Sequence, residues 1–308
     1  MSMNMLTPSA ERTSRKSAIA LKNQSTSQEE PFCCHRELAI ARDVQRASFP
    51  RQFPEIQRLT CKSIYMPAHK VGGDYYDFLR LQDNALGIAI GDVSGKGVSA
   101  ALIMANLQAA LRAQAVYTDT DIETIMANLN DLVYEFSPAQ FFASLFYGEY
   151  HPTTRVMNYV NAGHDAPFVL RHNHERRELL PLKSACVPVG ALRESRYTAT
   201  SFQFEVGDVL VAYTDGVTES VNPDFSPFGL QRLERLLCDC KTNDPAKILQ
   251  RILVELSDHS AGCAQIDDIT IFVMRVDPED GTRCDPVAPA LQAGKSEESA
   301  HLQSLRHK

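Results

Sequence analysis

The sequence has no tryptophan, no C-x-x-C pair and no apolar run near the length of a membrane span. Its eight cysteines lack paired spacing, which predicts reduced, mostly structural thiols and not a zinc ribbon or a thioredoxin-like site. No cysteine is followed six positions later by arginine, so the loop of a cysteine-dependent phosphatase is excluded. The clean apolar runs, such as residues 86–90, fall far short of the roughly 20 residues that span a bilayer. Because nothing near Met1 resembles a secretory signal, we expect a soluble, cytoplasmic protein.

An excess of basic residues is also absent. The chain has 31 lysines and arginines against 38 aspartates and glutamates, a net charge of −7. No global positive field exists to attract nucleic acid or anionic lipid, so we expect neither a nucleic-acid nor a membrane partner. With 308 residues, 44% of them apolar, the chain can bury a sizeable core.

The composition divides the chain into a central block and two tails. Residues 1–28 are rich in serine, threonine and basic residues without apolar periodicity, which predicts a disordered tail, although the composition also resembles a transit peptide. Residues 278–308 are similar in kind and are predicted to be disordered. Between the tails we expect a helix over residues 35–50, ended by Pro50, and one domain over residues 51–277.

The central block alternates strand-like and helix-like segments. β-Branched and aromatic residues predict strands over residues 59–65, 86–91, 142–150, 155–161, 167–171, 208–214 and 270–276. Amphipathic spacing predicts helices over residues 98–113, 121–134, 229–237 and 245–256. Short connections, such as the Pro-Thr-Thr turn after His151, favour antiparallel hairpins. Clustered strands with helices between them indicate an α+β fold whose sheet layers are covered by helices.

Aspartates lie where these strands begin or end. Asp74, Asp92 and Asp215 lie beside glycines, and the pair Asp267-Asp268 precedes an apolar strand. Carboxylates gathered at one rim repel one another, unless they are protonated, solvated or neutralised by cations. Mg²⁺ and Mn²⁺ prefer such oxygen ligands, and two ions can activate a water and neutralise a phosphoryl group. Any single Asp-Gly is also a common structural turn, so the inference depends on the whole set.

The segment Gly91-Asp-Val-Ser-Gly-Lys-Gly97 superficially resembles a nucleotide-binding P-loop. It is one residue short before the Gly-Lys pair, and Gly97 replaces the serine or threonine that would bind magnesium. The glycines are better explained as freeing the chain around Asp92 before the helix that starts near Val98. Lys96 is either a phosphate contact or an exposed turn lysine, and we keep it as a candidate substrate-binding residue.

Five phrases in order carry a family resemblance. They are Val71-Gly-Gly-Asp-Tyr-Tyr-Asp-Phe78, Ile90-Gly-Asp-Val-Ser-Gly-Lys-Gly97, Asn161-Ala-Gly-His164, Tyr213-Thr-Asp-Gly-Val-Thr-Glu219 and Asp267-Asp-Ile-Thr270. Over residues 35–276 the chain resembles the bacterial metal-dependent serine phosphatases of the PP2C superfamily, in the branch that includes RsbU and SpoIIE. The resemblance implies a four-layer α-β-β-α sandwich, in which two antiparallel sheets are flanked by helices. It also implies a site for two Mn²⁺ or Mg²⁺ ions at one edge.

Matching the motifs assigns roles to individual residues. Asp92 would bridge both metals, and the backbone carbonyl of Val93 would complete the coordination of one. Asp74, Asp215 and one member of the Asp267-Asp268 pair would supply the remaining ligands, some through water. The motif places Asp267 on the ligand position, although the choice between the adjacent aspartates stays open. The implied chemistry is direct hydrolysis by a metal-activated hydroxide, with Asp74, Asp92, Asp215 and Asp267 as the catalytic carboxylates and no phosphoenzyme.

The chain departs from the eukaryotic relatives around the substrate. Those relatives hold the phosphate with an arginine near the first acidic motif, whereas here His69 and Lys70 precede Val71 and are the candidate contacts. They also place a histidine, the proposed general acid, beside the bridging aspartate, where this chain has Val93. A metal-bound water would then protonate the leaving group. His164 lies where some relatives have a further acidic residue, and it is either structural or catalytic.

The resemblance implies a protein phosphoserine or phosphothreonine phosphatase. In this branch the usual substrate is a phosphorylated STAS-domain protein, the anti-anti-sigma factor of a partner-switching pathway. The helix at residues 35–50 resembles the linker through which an upstream activator or a homodimer would act, or it is an amphipathic helix that only packs on the sandwich. The alternatives are a catalytically inactive PP2C-fold binding module and a two-metal phosphodiesterase or nuclease. The retained aspartates argue against the first, and the acidic charge balance argues against the second.

Overall fold

The ten strands in the described part of the chain pair into two five-stranded antiparallel sheets. The computed structural model describes residues 30–138, 140–173, 176–183 and 185–278. It falls into two units, divided between Val44 and Gln45, and both sheets belong to the second unit. The predicted tail at residues 1–28, and all but the first residue of the predicted tail at 278–308, lie outside the described residues.

The helices and strands alternate along the chain much as the apolar patterns predict. The strands are β1 (Leu59–Met66), β2 (Tyr75–Arg80), β3 (Leu86–Val93), β4 (Ala143–His151), β5 (Val156–Ala162), β6 (Phe168–Asn173), β7 (Arg176–Pro181), β8 (Thr200–Gln203), β9 (Val209–Tyr213) and β10 (Ile269–Val276). The helices are α1 (Glu30–Ser48), α2 (Val98–Tyr117), α3 (Ile122–Phe136), α4 (Asp215–Thr218), α5 (Leu230–Cys238) and α6 (Pro245–Ser260).

The two sheets stack face to face, with helices outside. One sheet has the order β1-β10-β9-β6-β7 and the other the order β2-β3-β4-β5-β8. The rings of Phe78 on β2 and Phe272 on β10 meet edge to face, 5.3 Å apart, across the gap between the sheets. Helices α5 and α6 contact the first sheet, and α2 and α3 contact the second. The predicted α+β sandwich of two antiparallel sheets flanked by helices is confirmed.

Strand β10 shows why the central strands have unbroken apolar sequences. Phe272 and Met274 point into the core between the sheets, whereas Ile271 and Val273 point to the opposite side, where α6 packs. Successive side chains of a strand alternate between its two faces, so a strand covered on both faces needs apolar residues at every position.

All the predicted strands and helices occur, with their ends shifted by a few residues. The structure adds three strands that the sequence did not predict: β2, β7 and β8. Strand β2 contains a charged residue, Asp77, that is nonetheless completely buried. Strand β7 begins Arg-Arg-Glu, and β8 is a four-residue edge strand with mostly exposed side chains. Pairing with β6 and β5 defines these two strands, and their own apolar patterns are weak.

The one Asp-x-Asp segment, Asp119-Thr-Asp121, caps a helix. Asp121 Oδ1 accepts a hydrogen bond of 2.9 Å from the backbone N–H of Thr124, in the first turn of α3. The backbone N–H and the hydroxyl of Thr124 lower the pKa of Asp121. An Asp-x-Asp segment can carry the aspartate that forms a phosphoenzyme. Here the helix cap accounts for Asp121.

Two further expectations concern cysteines and membrane spans. None of the five cysteines whose side chains are described forms a disulfide: Cys61, Cys186, Cys238, Cys240 and Cys263. This agrees with the predicted reduced thiols. Within the described ranges, every helix is too short or too polar to cross a bilayer.

Candidate metal centre

Antiparallel pairing brings the motif aspartates to one edge of the sandwich. Asp74 directly precedes β2, whose first residue pairs with the residue before Asp92 at the end of β3. Asp215 follows the end of β9, and Asp267-Asp268 precede β10, which pairs with β9. The start of one antiparallel strand meets the end of its partner, so each strand pair delivers its carboxylates to a single edge.

Two glycines allow the oxygens of this edge to approach closely. A Cβ on Gly73 would lie 2.8 Å from the carbonyl oxygen of Val93 and 3.2 Å from Oδ1 of Asp92. These two oxygens, the predicted carbonyl ligand and the predicted bridging carboxylate, therefore lie beside the same backbone segment. A Cβ on Gly72 would lie 1.9 Å from Oδ2 of Asp268, which explains the second glycine.

The adjacent aspartates Asp267 and Asp268 make different contacts. Asp268 Oδ1 accepts a hydrogen bond from the N–H of Ala68 (2.7 Å), and Oδ2 accepts one from the N–H of Gly73 (2.8 Å). Asp268 thus holds the loop that precedes Asp74. Asp267 uses Oδ1 to accept from the N–H of Asp268, and Oδ2 faces Lys96. The backbone contacts give Asp268 a structural task, and the assignment of Asp267 as the metal ligand remains a prediction.

Lys96 lies inside the acidic cluster. Its Nζ is 2.7 Å from Asp267 Oδ2 and donates to the carbonyl of Ile266 at 2.9 Å. Partial burial opposes the charged ammonium, but the hydrogen bond and charge of Asp267 outweigh it and raise the pKa of Lys96. Gly95 and Gly97, on either side of Lys96, have φ values of +94° and +70°, which suit glycine and shape the turn. The turn directs the ammonium group toward the carboxylates.

The other two predicted substrate contacts lie at the rim. His69 and Lys70 are exposed in the connection between β1 and Gly72. Ala68, the residue before them, is anchored to Asp268, which places the exposed pair next to the cluster. Their role in binding substrate remains a prediction.

The carboxylates perturb one another strongly. Burial, together with the negative charges of Asp215, Asp267 and Asp268, raises the pKa of Asp92 to about 8. Burial and the charges of Glu219 and Asp267 raise the pKa of Asp215 to about 6. The pKa of Asp74, which is 1% exposed, is raised well above its usual range, chiefly by burial and then by the charge of Asp92. Without a cation, this cluster disfavours its own ionised form.

The chemistry of the donors fits hard divalent cations. Carboxylate and carbonyl oxygens are the ligands of Mg²⁺ and Mn²⁺, and a cation would relieve the mutual repulsion of the aspartates. In the described residues, no three side chains of aspartate, glutamate, histidine or cysteine converge as a ready cage. Mg²⁺ commonly uses one or two carboxylates and several waters, so a site of this type does not need a closed cage.

A buried tyrosine hydroxyl beside the cluster lacks a hydrogen-bond partner. Tyr65, at 2% exposure, has no hydrogen-bond partner for its hydroxyl within the described structure. Burial and the charges of Asp268 and Asp74 raise the pKa of Tyr65. An unsatisfied buried donor next to carboxylates is the kind of group that a water or ligand in the site would satisfy.

His164 connects the two sheets beneath the site. Its Nε2 donates to the carbonyl of Tyr213 (3.1 Å), and its Nδ1 accepts from the hydroxyl of Ser144 on β4 (2.9 Å). Burial lowers the pKa of His164 to about 4, so the ring is neutral at pH 7. Because Tyr213 lies two residues before Asp215, the histidine steadies the strand end that carries this ligand. This arrangement is that of a structural histidine.

Sequence analysis missed several residues at this edge. Thr214 and Thr270 bond the carboxylate of Asp74, and Gln45 bonds the backbone of Gly72. Asp165 lies close enough to contribute to the raised pKa of Asp215. The two threonines stand next to or near motif aspartates, which was the one available signal.

The comparisons with known proteins identify a family. The family model described as Stage II sporulation protein E (SpoIIE) matches residues 82–277. The protein IcfG of Synechocystis sp. is 32% identical over 264 residues, which cover 77% of this chain and 41% of IcfG. The phosphoserine phosphatase RsbU of Bacillus subtilis is 29% identical over 242 residues, which cover 78% of this chain and 70% of RsbU. The chain thus spans about two fifths of the first relative.

A solved structure confirms the fold. The SiaA-PP2C domain of Pseudomonas aeruginosa superposes with a TM-score of 0.66 at 22% identity. The match covers 82% of this chain and all of that domain. At this identity the likeness establishes the architecture, and the chemistry has to be argued from the site itself.

Proposed function

Because the chain belongs to the SpoIIE family, we propose that it is a PPM-type protein serine/threonine phosphatase that depends on two Mn²⁺ or Mg²⁺ ions. The observation that carries this proposal is the edge cluster of aspartates. Antiparallel pairing brings them together, and burial and their mutual charges raise the pKa values of Asp74, Asp92 and Asp215. The relative RsbU is named a phosphoserine phosphatase, which supports phosphate-ester hydrolysis as the reaction.

We assign each residue of the cluster a separate role. Asp92 and the carbonyl of Val93, together with Asp74, Asp215 and Asp267, would hold the ions. When bound, the ions would neutralise the phosphate oxygens and supply an activated water for hydrolysis. Asp268 fixes the loop before Asp74 through the backbone, and Lys96 carries a positive charge that a substrate phosphate could approach. His69 and Lys70, which are exposed at the rim, would contact the protein that carries the phosphate.

The proposed substrate is a phosphorylated STAS-domain protein, the anti-anti-sigma factor of a partner-switching pathway. The five ordered motifs support this substrate class because they resemble the RsbU and SpoIIE branch. The net charge of −7 offers no general attraction for a polyanion, so the proposal includes neither nucleic acid nor membrane as a partner. We place the reaction in the cytoplasm, as the sequence predicts.

We further propose that an upstream activator or a second copy of the chain acts through the helix at residues 35–50. The end of α1 contacts the loop that precedes Asp74. Gln45 Nε2 donates to the carbonyl of Gly72 (2.7 Å), and the N–H of Gly72 donates to Gln45 Oε1 (3.1 Å). The ring of Phe49 lies 4.5 Å from that of Tyr65, beside the cluster. A shift of this helix end would therefore reach the segment that carries Asp74.

A catalytically inactive binding module is the second candidate. The contact that favours it is the ion pair between Lys96 and Asp267, which occupies an oxygen that the metal would need. A module that relies on this pair would bind no divalent ion.

Manganese dependence tests the phosphatase proposal. We expect the purified chain to hydrolyse p-nitrophenyl phosphate with Mn²⁺ and to lose this activity in EDTA. Asp92→Ala should lower kcat/KM by on the order of a thousandfold, because the predicted bridging carboxylate is lost. Asp131→Ala, which removes an exposed aspartate of α3, is the matched control and should retain full activity. Activity that persists in EDTA, or in Asp92→Ala, would refute the two-metal mechanism.

A substrate panel tests the partner. The chain and Mn²⁺ are incubated with each phosphorylated STAS-domain protein of the same organism, and phosphate release is measured. We expect rapid cleavage of one member and slow cleavage of the others. Activity on p-nitrophenyl phosphate without activity on any STAS protein would retain the phosphatase and reject this substrate class.

A further inference from the structure

Two threonine hydroxyls converge on one oxygen of Asp74. Thr214 Oγ1 donates to Asp74 Oδ2 at 2.8 Å, and Thr270 Oγ1 donates to the same oxygen at 2.5 Å. Both threonines are completely buried, and Asp74 is 1% exposed. Solvent therefore does not compete for these bonds, and their geometry is set by the fold.

The backbone fixes the direction of the hydrogen bond from Thr214. The N–H of Thr270 donates to Thr214 Oγ1 at 3.0 Å, and the N–H of Thr214 donates to the carbonyl of Thr270 at 3.0 Å. Since Thr214 Oγ1 already accepts a hydrogen bond, its single hydrogen is available for Asp74. The hydroxyl of Thr214 is thus directed to Asp74, and the hydroxyl of Thr270 donates to the same oxygen.

The contact joins the two sheets. Thr214 follows β9 and Thr270 lies in β10, both in the first sheet, whereas Asp74 precedes β2 of the second sheet. Within the described ranges, the hydrogen bonds of the Asp74 side chain run to Oδ2. The carboxylate is held at one oxygen, which leaves Oδ1 for a ligand of the site.

We propose that Thr214 and Thr270 are positioning residues that orient the carboxylate of Asp74 toward the divalent ion, which it meets directly or through a water. The inference deepens the proposed function, since it takes the acidic edge as a metal centre. A methyl group in place of either hydroxyl keeps the shape of the core but releases the carboxylate to rotate. Partners of this kind typically contribute tenfold to a hundredfold to metal affinity.

The test is the dissociation constant for Mn²⁺, measured by titration calorimetry on the full chain. Thr270→Val should weaken Mn²⁺ binding by about tenfold or more, whereas Thr270→Ser, which keeps the hydroxyl, should stay within about threefold of the wild type. Thr214→Val should change the affinity in the same direction. Thermal unfolding in EDTA identifies any variant that fails to fold, and if Thr270→Val does so, Thr214→Val carries the comparison.

Thr60→Val is the matched control. Thr60 Oγ1 donates to Asp277 Oδ2, another buried aspartate, at 2.5 Å. Thr60 pairs with Arg275, five residues along β10 from Thr270, which is about 17 Å. Its loss should reduce stability and leave Mn²⁺ affinity unchanged.

The outcomes distinguish a failure of the positioning role from a failure of the metal centre. If Thr270→Val folds and binds Mn²⁺ as tightly as the wild type, the positioning role is wrong and the metal centre stands. If the serine variant is weakened as much as the valine variant, packing and not the hydroxyl sets the affinity, and the positioning role is again wrong. If the wild type binds no Mn²⁺, the proposed function and this inference both fail.

Discussion

Asp74 and Asp77 lie three residues apart in one motif, and both are buried, yet their surroundings are opposite. Asp77 receives two hydrogen bonds from Arg112 on α2, at 2.6 and 2.7 Å, and one of 3.0 Å from the hydroxyl of Tyr75. Asp74 receives two neutral hydroxyls and faces further carboxylates. One buried negative charge is neutralised within the fold, and the other is left among charges of its own sign.

The difference indicates that Asp77 is a structural carboxylate and that Asp74 is available to a ligand. Burying a carboxylate is costly unless a positive group accompanies it. At Asp77 that group is a guanidinium 35 residues away in the sequence, which ties β2 to α2. At Asp74, Asp92 and Asp215 the fold does not provide enough positive charge, and a metal ion would supply it. A cation from solution would offset the charge of the fully ionised cluster.

The largest expected effect comes from removing the arginine that neutralises Asp77. Arg112→Leu leaves Asp77 buried and charged without its cation, and we expect the free energy of unfolding to fall by about 3–5 kcal/mol. Urea denaturation in EDTA measures this loss. The kcat per folded molecule, measured with Mn²⁺ on p-nitrophenyl phosphate, should change less than about threefold, because Arg112 does not belong to the metal cluster.

The double variant supplies the control for that prediction. Asp77→Asn removes the buried charge. The amide oxygen of the asparagine can still accept from the N–H of Phe78, and its NH2 group can donate to the hydroxyl of Tyr75. In the Asp77→Asn background, Arg112→Leu should therefore cost much less than in the wild type. An equal cost in both backgrounds would mean that packing of the arginine stem, and not charge compensation, holds β2 to α2.

The sequence predicted that these aspartates gather at one edge because strand ends carry a local signal. An apolar run followed by Asp-Gly identified Asp215, and glycines marked Asp74 and Asp92. The partners of these aspartates carry no such signal. Thr270 and Asp74 are 196 residues apart, and only the pairing of whole sheets brings them together. Apart from their position next to or near motif aspartates, the two threonines look like ordinary strand residues in the sequence.

The missed strand β2 has a related cause. Its Asp77 breaks the apolar pattern, and only the guanidinium of Arg112, supplied by a distant helix, makes the position tolerable in a buried strand. Local propensity cannot anticipate a compensating charge from another element. The weak edge strands β7 and β8 were missed because their neighbours, and not their own residues, specify them.

The second prediction concerns the acidic edge and uses the pH dependence of the free energy of unfolding. In the metal-free fold the pKa is about 8 for Asp92 and about 6 for Asp215, above the value of about 4 expected in the unfolded chain. Between about pH 4 and pH 8 the folded protein therefore holds protons that the unfolded chain has released. Its stability should fall as the pH rises through this window, by about 1–3 kcal/mol between pH 5 and 8 in EDTA.

Three variants or conditions sharpen that measurement. Saturating Mn²⁺ should remove the decline, because the carboxylates are then ionised and paired in the fold. Asp92→Asn should stabilise the metal-free protein at pH 8, and Asp77→Asn should leave the slope unchanged. A metal-free protein whose stability stays level or rises from pH 5 to 8 would contradict the idea that the cluster lacks compensation.

The smallest expected effect concerns Lys96, the cation that already lies within the cluster. Its side chain is 44% exposed, so the pair with Asp267 should contribute less than about 1 kcal/mol to stability. Lys96→Met frees Asp267 Oδ2 for a metal and removes a positive charge near the proposed phosphate position. We expect the dissociation constant for Mn²⁺ to fall about threefold, and the KM for p-nitrophenyl phosphate to rise by a similar factor.

Two variants make this small effect interpretable. Lys96→Arg keeps the charge and should retain the KM of the wild type. Lys247→Met removes a more exposed ammonium, 4.0 Å from Asp244 at the start of α6, and should alter neither constant. If Lys96→Met also leaves both constants unchanged, Lys96 is a bystander of the cluster. In that case the charge of Asp77 is compensated by Arg112, whereas the carboxylates of the acidic edge, Asp267 included, receive no effective compensation from the protein.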